Sequence, residues 1–120
     1  MFAEALPFAE RTASRAPWYL PSIGLYAGLL VRMGQPARSE EVLQALRPGE
    51  AYHAALSLAL FHICCGEVDL AANWFEKAIA QRDAEVVVFL QGVIGEPIRA
   101  SKHWRRLAAL MNLPEATPAT

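Results

Sequence analysis

The stretch Gly66-Glu67-Val68-Asp69-Leu70-Ala71-Ala72-Asn73-Trp74-Phe75-Glu76-Lys77-Ala78-Ile79 decides the fold. Its apolar residues Leu70, Trp74, Phe75, Ala78 and Ile79 recur at three and four positions, the period of a helix and not of a strand. The glycine ahead of it suits a turn with positive φ, where one helix ends and the next begins. Asp69 stands at the start of the run, where a carboxylate is expected to cap the helix beginning near Leu70. Ala71 and Ala78 are small enough to let neighbouring helices approach closely, and Phe75 fills the space beside them.

Upstream lies Ala54 to Cys65, apolar on nearly every side. Leu56, Leu60 and Ile63 share one face, and Leu58 with Phe61 another. A helix of that kind must be buried on several sides, so it belongs in the middle of a stack. Further outward the punctuation is regular: Pro17, Gly34-Gln35-Pro36, Pro48-Gly49, Gly66, Gly92 with Gly95, Pro97 and Pro114. Helical stripes run between these breaks. Leu20, Ile23, Tyr26, Ala27 and Leu30 form the first, Val42, Leu43 and Leu46 the next, and Trp104, Leu107, Ala108 and Met111 the last. Ser39 ahead of Glu40-Glu41 reads as an early helical turn, where negative charge suits the dipole. Val86-Val87-Val88-Phe89-Leu90 is β-branched, yet no partner strand exists elsewhere, so it is assigned to a helix.

Composition narrows the class. The chain of 120 residues makes one domain on length, and 54% of it is apolar. That is enough for a core with apolar surface left over, which usually marks an interface. A net charge of −1 gives no global attraction to nucleic acid or anionic lipid. The two cysteines, Cys64 and Cys65, are adjacent and unsuited to stapling distant segments, so they are expected as reduced thiols of a cytoplasmic protein. Met1 to Arg11 carries no secretory pattern, and the longest apolar run is too short to cross a bilayer.

Gly34 and Gly66 lie 32 residues apart, each between two helical segments. Helix pairs repeating at about 34 residues are the sign of tetratricopeptide stacks. The second unit resembles that family in Leu58, Ala59, Gly66, Ala71, Phe75, Ala78 and Ile79. The first, Pro17 to Arg47, matches in Ala27 and Gly34, while Ser39, Leu43 and Leu46 stand where the family has alanine, an aromatic and alanine. Residues 1–16 read as the second helix of a preceding repeat stopped by Pro17, with Pro7 near its start. On that reading the chain is cut from, or begins late in, a longer solenoid. The tail resembles an ending common in bacterial proteins with such repeats, through Val88-Phe89-Leu90, Pro97-Ile98-Arg99, Trp104 and Leu107 to Pro114.

The resemblance implies an all-α solenoid of antiparallel helix pairs, a right-handed superhelix closed by a capping helix. Its expected divisions are 1–16, a weak repeat at 17–50, a strong one at 51–83, capping helices at 84–114 and a disordered tail at 115–120. It also implies a non-enzymatic interaction module, a scaffold or adaptor, whose inner face is lined by the first helix of each pair. In register that face carries Gly24, Gly28, Val31 and Arg32, then His53, Leu56, Leu60, Ile63 and Cys64. The face is apolar and lacks the lysine, arginine and asparagine set with which some members clamp a peptide carboxylate. It is expected to take a partner helix or peptide, or else to be covered by the chain's own termini or by a second copy. Few repeats bury little core, which points to a homodimer.

Other chemistries find less footing. His62 and Cys65 sit one turn apart, but a stable zinc site wants three or four ligands, so no metal and no cofactor is expected. Arg99, Lys102, His103, Arg105 and Arg106 surround Trp104. Basic residues beside an aromatic can hold single-stranded nucleic acid, yet a solvated cationic helix face with Trp104 turned to the core accounts for the pattern more simply. No phosphate loop, nucleophile elbow or histidine–carboxylate motif points to catalysis. Trp18 and Tyr19 are expected to staple the first unit onto what precedes it.

Overall fold

The computed structural model describes residues 2–16, 18–44 and 53–112. The described residues are helical, with no strand among them. In chain order the helices are α1 (Phe2–Arg15), α2 (Leu20–Arg32), α3 (Pro36–Leu43), α4 (Ala54–Cys64), α5 (Val68–Ala80), α6 (Glu85–Gln91), α7 (Glu96–Arg99) and α8 (Trp104–Leu110), with a 3-10 turn at Val93–Gly95 between α6 and α7. The β-branched run Val86–Phe89 is helical, as expected from its neighbours. The tail at 115–120 and the prolines Pro17, Pro48 and Pro114 lie outside the described residues, as do Leu46 and Gly49.

Turn chemistry sets the boundaries. Pro21 and Pro36 stand in the first turns of α2 and α3, where proline's fixed φ fits and its missing N–H costs nothing. Gly34 (φ 77°) and Gly66 (φ 80°) take the left-handed conformation that ends α2 and α4. Both turns are wired alike. The Gly34 N–H donates to the Val31 carbonyl and the Gln35 N–H to that of Leu30; Gly66 donates to Ile63 and Glu67 to His62. This is the six-to-one, five-to-two pattern of a Schellman close. Arg82 (φ 59°) closes α5 in the same way, donating to Ile79 while Asp83 donates to Ala78. No glycine marks that third turn.

Two starts differ from expectation. Asp69 does not cap α5, which begins at Val68; its carboxylate accepts instead from His103 Nε2 at 2.7 Å. Ser39 lies inside α3, where its buried hydroxyl donates to the Ala27 carbonyl at 2.7 Å and ties α3 to α2. Pro7 sits within α1, without the backbone N–H that an interior helical residue donates.

The all-round apolar helix is central, as its composition requires: α4 packs against α2 on one side and α5 on the other. The main core joins Leu56, Ala59 and Leu60 of α4 to Ala71, Phe75 and Ala78 of α5, then to Val86, Leu90, Ile98, Trp104 and Leu107. Trp104 is turned inward there. Trp18 is not a staple: it is 78% exposed, and only Tyr19 beside it is half-buried.

A candidate partner-binding groove

On the other side of α2 from α3's anchor at Ala27 runs a groove of about 760 Å³. Its floor is one face of α2, with Ser22, Leu25, Leu29 and Arg32 at helical spacing. Ala5, Phe8, Ala9 and Thr12 of α1 form one wall, at the same three- and four-residue spacing. The opposite wall comes from Val93, Ile94, Glu96, Pro97 and Ala100, and Ile63 with Cys64 close the floor beside α2. The rims are apolar and bare: Phe8 is 67% exposed and Val93 88%. The charged residues lining the groove are Arg32 and Glu96. A third charge sits at the rim, where the Arg11 guanidinium lies 5.9 Å from the Phe8 ring centroid.

Arg32 is oriented by its own backbone surroundings. Its Nε donates to the Cys64 carbonyl at the end of α4, where cations suit the helix dipole. Cys64 is buried, and that burial, with Cys65 adding to it, pushes its thiol up to about 11. It lines the groove floor as a small, buried side chain.

Of the nine residues expected on the inner face, Arg32, Ile63 and Cys64 line this groove. The others need correction. Leu56 and Leu60 are fully buried between α4 and α5, so no partner reaches them; Leu60→Glu would strike the core. Gly24 and Gly28 press against α4: a Cβ at Gly24 would overlap the Ser57 carbonyl, and one at Gly28 the Cys64 side chain. These glycines set the close α2–α4 approach. Val31 is half-buried and does not line the groove. The register error has a simple source. The face of α4 that repeat logic assigns to a ligand is here used by α2 and α5, and the open face belongs to α2 and α1. The signal that could have located it was present in the α1 spacing of Ala5, Phe8, Ala9 and Thr12.

His53 has a different setting. It precedes α4 in a left-handed conformation (φ 72°), and its Nδ1 lies 2.6 Å from Asp83 Oδ2. Its Nε2 is 3.9 Å from Glu85 Oε2, which also accepts from the Tyr19 hydroxyl at 2.7 Å. Asp83, with its side chain 3% exposed, accepts the Glu85 backbone N–H through its other oxygen at 3.0 Å. The Tyr19 and His53 rings meet edge-on, 5.9 Å apart. Burial, then the hydrogen bond to Glu85 and the nearby carboxylate charges, push the Tyr19 phenol up to about 12. Four residues from three distant parts of the chain thus form one polar network.

His62 lies 2.9 Å from Glu67, and among the described residues no group of three or more metal-ligating side chains gathers. The basic residues of the tail are partly committed: Arg106 pairs with Glu76, and Arg99 Nη1 donates to the carbonyls of Leu90 and Gly92. Among the described residues no helix is long and apolar enough to cross a membrane. Comparison with protein-family models, with curated proteins and with solved structures gives no match to this chain.

Proposed function

We propose that this chain is a non-enzymatic interaction module that seats an amphipathic helix of a partner protein in the α1–α2 groove. The observation that carries the reading is an apolar trough whose rims, Phe8 and Val93, stand bare in water. An extended peptide fits it poorly. Such a peptide would bring backbone N–H and C=O groups against a lining that offers Thr12, Ser22, Arg32 and Glu96 as its polar side chains. Unsatisfied backbone groups are costly in apolar surroundings. A helix satisfies its own backbone and presents apolar side chains at i, i+3, i+4 and i+7, the spacing of the α1 wall at Ala5, Phe8, Ala9 and Thr12.

A tetratricopeptide-type stack of helix pairs is compatible with the same facts. The Gly34 and Gly66 turns share φ and hydrogen-bond pattern, and α2–α3 and α4–α5 follow as two helix pairs with α2 against α4.

A helical-peptide display library, selected on the wild type and counter-selected on a Phe8→Glu/Val93→Glu variant, tests the proposal. Both side chains are exposed, so the double variant keeps its fold. Amphipathic helices enriched on the wild type and lost on the variant are the expected result. Equal recovery on both proteins would remove the groove from the account. A second reading, self-association, draws on bare Trp18, Phe8, Val88 and Val93. Light scattering over a wide concentration range separates the two: a dimer abolished by Phe8→Glu/Val93→Glu means a second copy occupies the groove.

A further inference from the structure

One wall of the groove is built as a unit. Arg99 Nη1 reaches back to the carbonyls of Leu90 and Gly92 at 2.6 Å each, bracing α7 onto the end of α6. Gly95 packs so tightly on Leu90 that a Cβ there would meet its backbone. The 3-10 turn and α7, which with Ala100 just after them carry Val93, Ile94, Glu96 and Pro97 into the groove, are therefore fixed to α6. Where α6 sits decides where this wall stands.

The root of α6 is where the polar network lies. Glu85, its first residue, accepts from Tyr19 just ahead of α2, whose face is the groove floor. Asp83, two residues before, holds His53 at the head of α4 and the Glu85 N–H. The network thus joins the helix that supplies the floor to the helix that carries the wall, across 66 residues of sequence. Apolar packing of Val86, Leu90 and Ile98 holds α6 and α7 to the core, but such packing is non-directional. Hydrogen bonds with fixed geometry supply register.

We propose that Tyr19, His53, Asp83 and Glu85 are a latch that sets the position of the Val93–Ala100 wall, so that residues outside the groove control its width and its choice of helix. The inference rests on the groove reading for its consequence, but its test needs no partner. His53 acts on the groove from a distance, as a positioning residue.

Hydrogen exchange on the intact chain reads the latch directly. Tyr19→Phe removes one hydroxyl and leaves the ring, so the fold is kept; Asp83→Asn keeps the shape of the more central member. The expected result is amide exchange in residues 86–100 faster by about five- to tenfold in each variant, as the loss of a network hydrogen bond implies, with α4 and α5 amides unchanged. Glu85→Gln, which still offers the Tyr19 hydroxyl an acceptor, should restore most of the protection lost in Glu85→Ala. Unchanged exchange in 86–100, or acceleration by one common factor in α4, α5 and the wall, would overturn the latch. Either failure leaves the peptide selection untouched, and a failed selection leaves the exchange result standing.

Discussion

A methyl group added at Gly24 has no room. Its carbon would enter the envelope of the Ser57 backbone, and helix backbone cannot swing away as a side chain end can. Alanine ordinarily favours a helix interior over glycine by about 1 kcal/mol. Here overpacking of about 1–3 kcal/mol works against that gain and exceeds it. Gly24→Ala should therefore lower unfolding free energy in urea by up to about 2 kcal/mol, with m unchanged. A gain in stability would mean that α2 and α4 are further apart than described. Ser57 marks the same contact, since its hydroxyl donates to the Leu20 carbonyl across the helix pair. Asp69 illustrates surface chemistry of a different weight. The His103 hydrogen bond first, and the Lys102 charge second, hold its carboxyl below the usual carboxylate range. A carboxyl with a lowered folded value adds stability above its unfolded value and loses it as pH falls through the folded one. His103→Gln should move the Asp69 titration, followed by NMR, back toward the ordinary value.

At the scale of elements, close approach again decides. Ala71 and Ala78 of α5 are fully buried against the core with Phe75 between them. Ala71→Leu should overpack this helix pair and cost about 1–3 kcal/mol in thermal or urea unfolding. A neutral result would mean that α5 faces α4 with a different side. This part was legible in the sequence, because small residues at helical spacing beside an aromatic leave few ways to pack. Centrality of α4 was legible for the same reason: an all-round apolar helix has no solvent face to offer. The third Schellman turn was not legible. Arg82 adopts positive φ without the glycine that flags Gly34 and Gly66. Nor was the pairing of Asp69 with His103, or of His53 with Asp83. Such contacts join residues 34 and 30 apart in sequence, and local patterns carry no record of them. Inner-face register failed where repeat logic assigned Leu56 and Leu60 to a ligand, because neighbouring helices had the stronger claim on that surface.

At the scale of the molecule, the open apolar surface is lined by α1, α2 and the segment braced onto α6. The groove has apolar walls, charged positions at Arg32 and Glu96, and bare rims. That combination suits a partner that brings its own satisfied backbone. It also separates two kinds of effect. Changes at Phe8 and Val93 should act on binding with little effect on stability. Changes at Gly24 and Ala71 should act on stability, and reach binding only through it. Methyl NMR of the wild-type chain, titrated with a helical peptide from the selection, tests the central claim most directly. Shifts concentrated at Leu25, Leu29, Ile63, Val93 and Ile94, with Leu56, Leu60 and Leu107 still, are the predicted result. Shifts centred away from the groove, at Val88 or Leu110 with Leu25 and Leu29 unmoved, would contradict it.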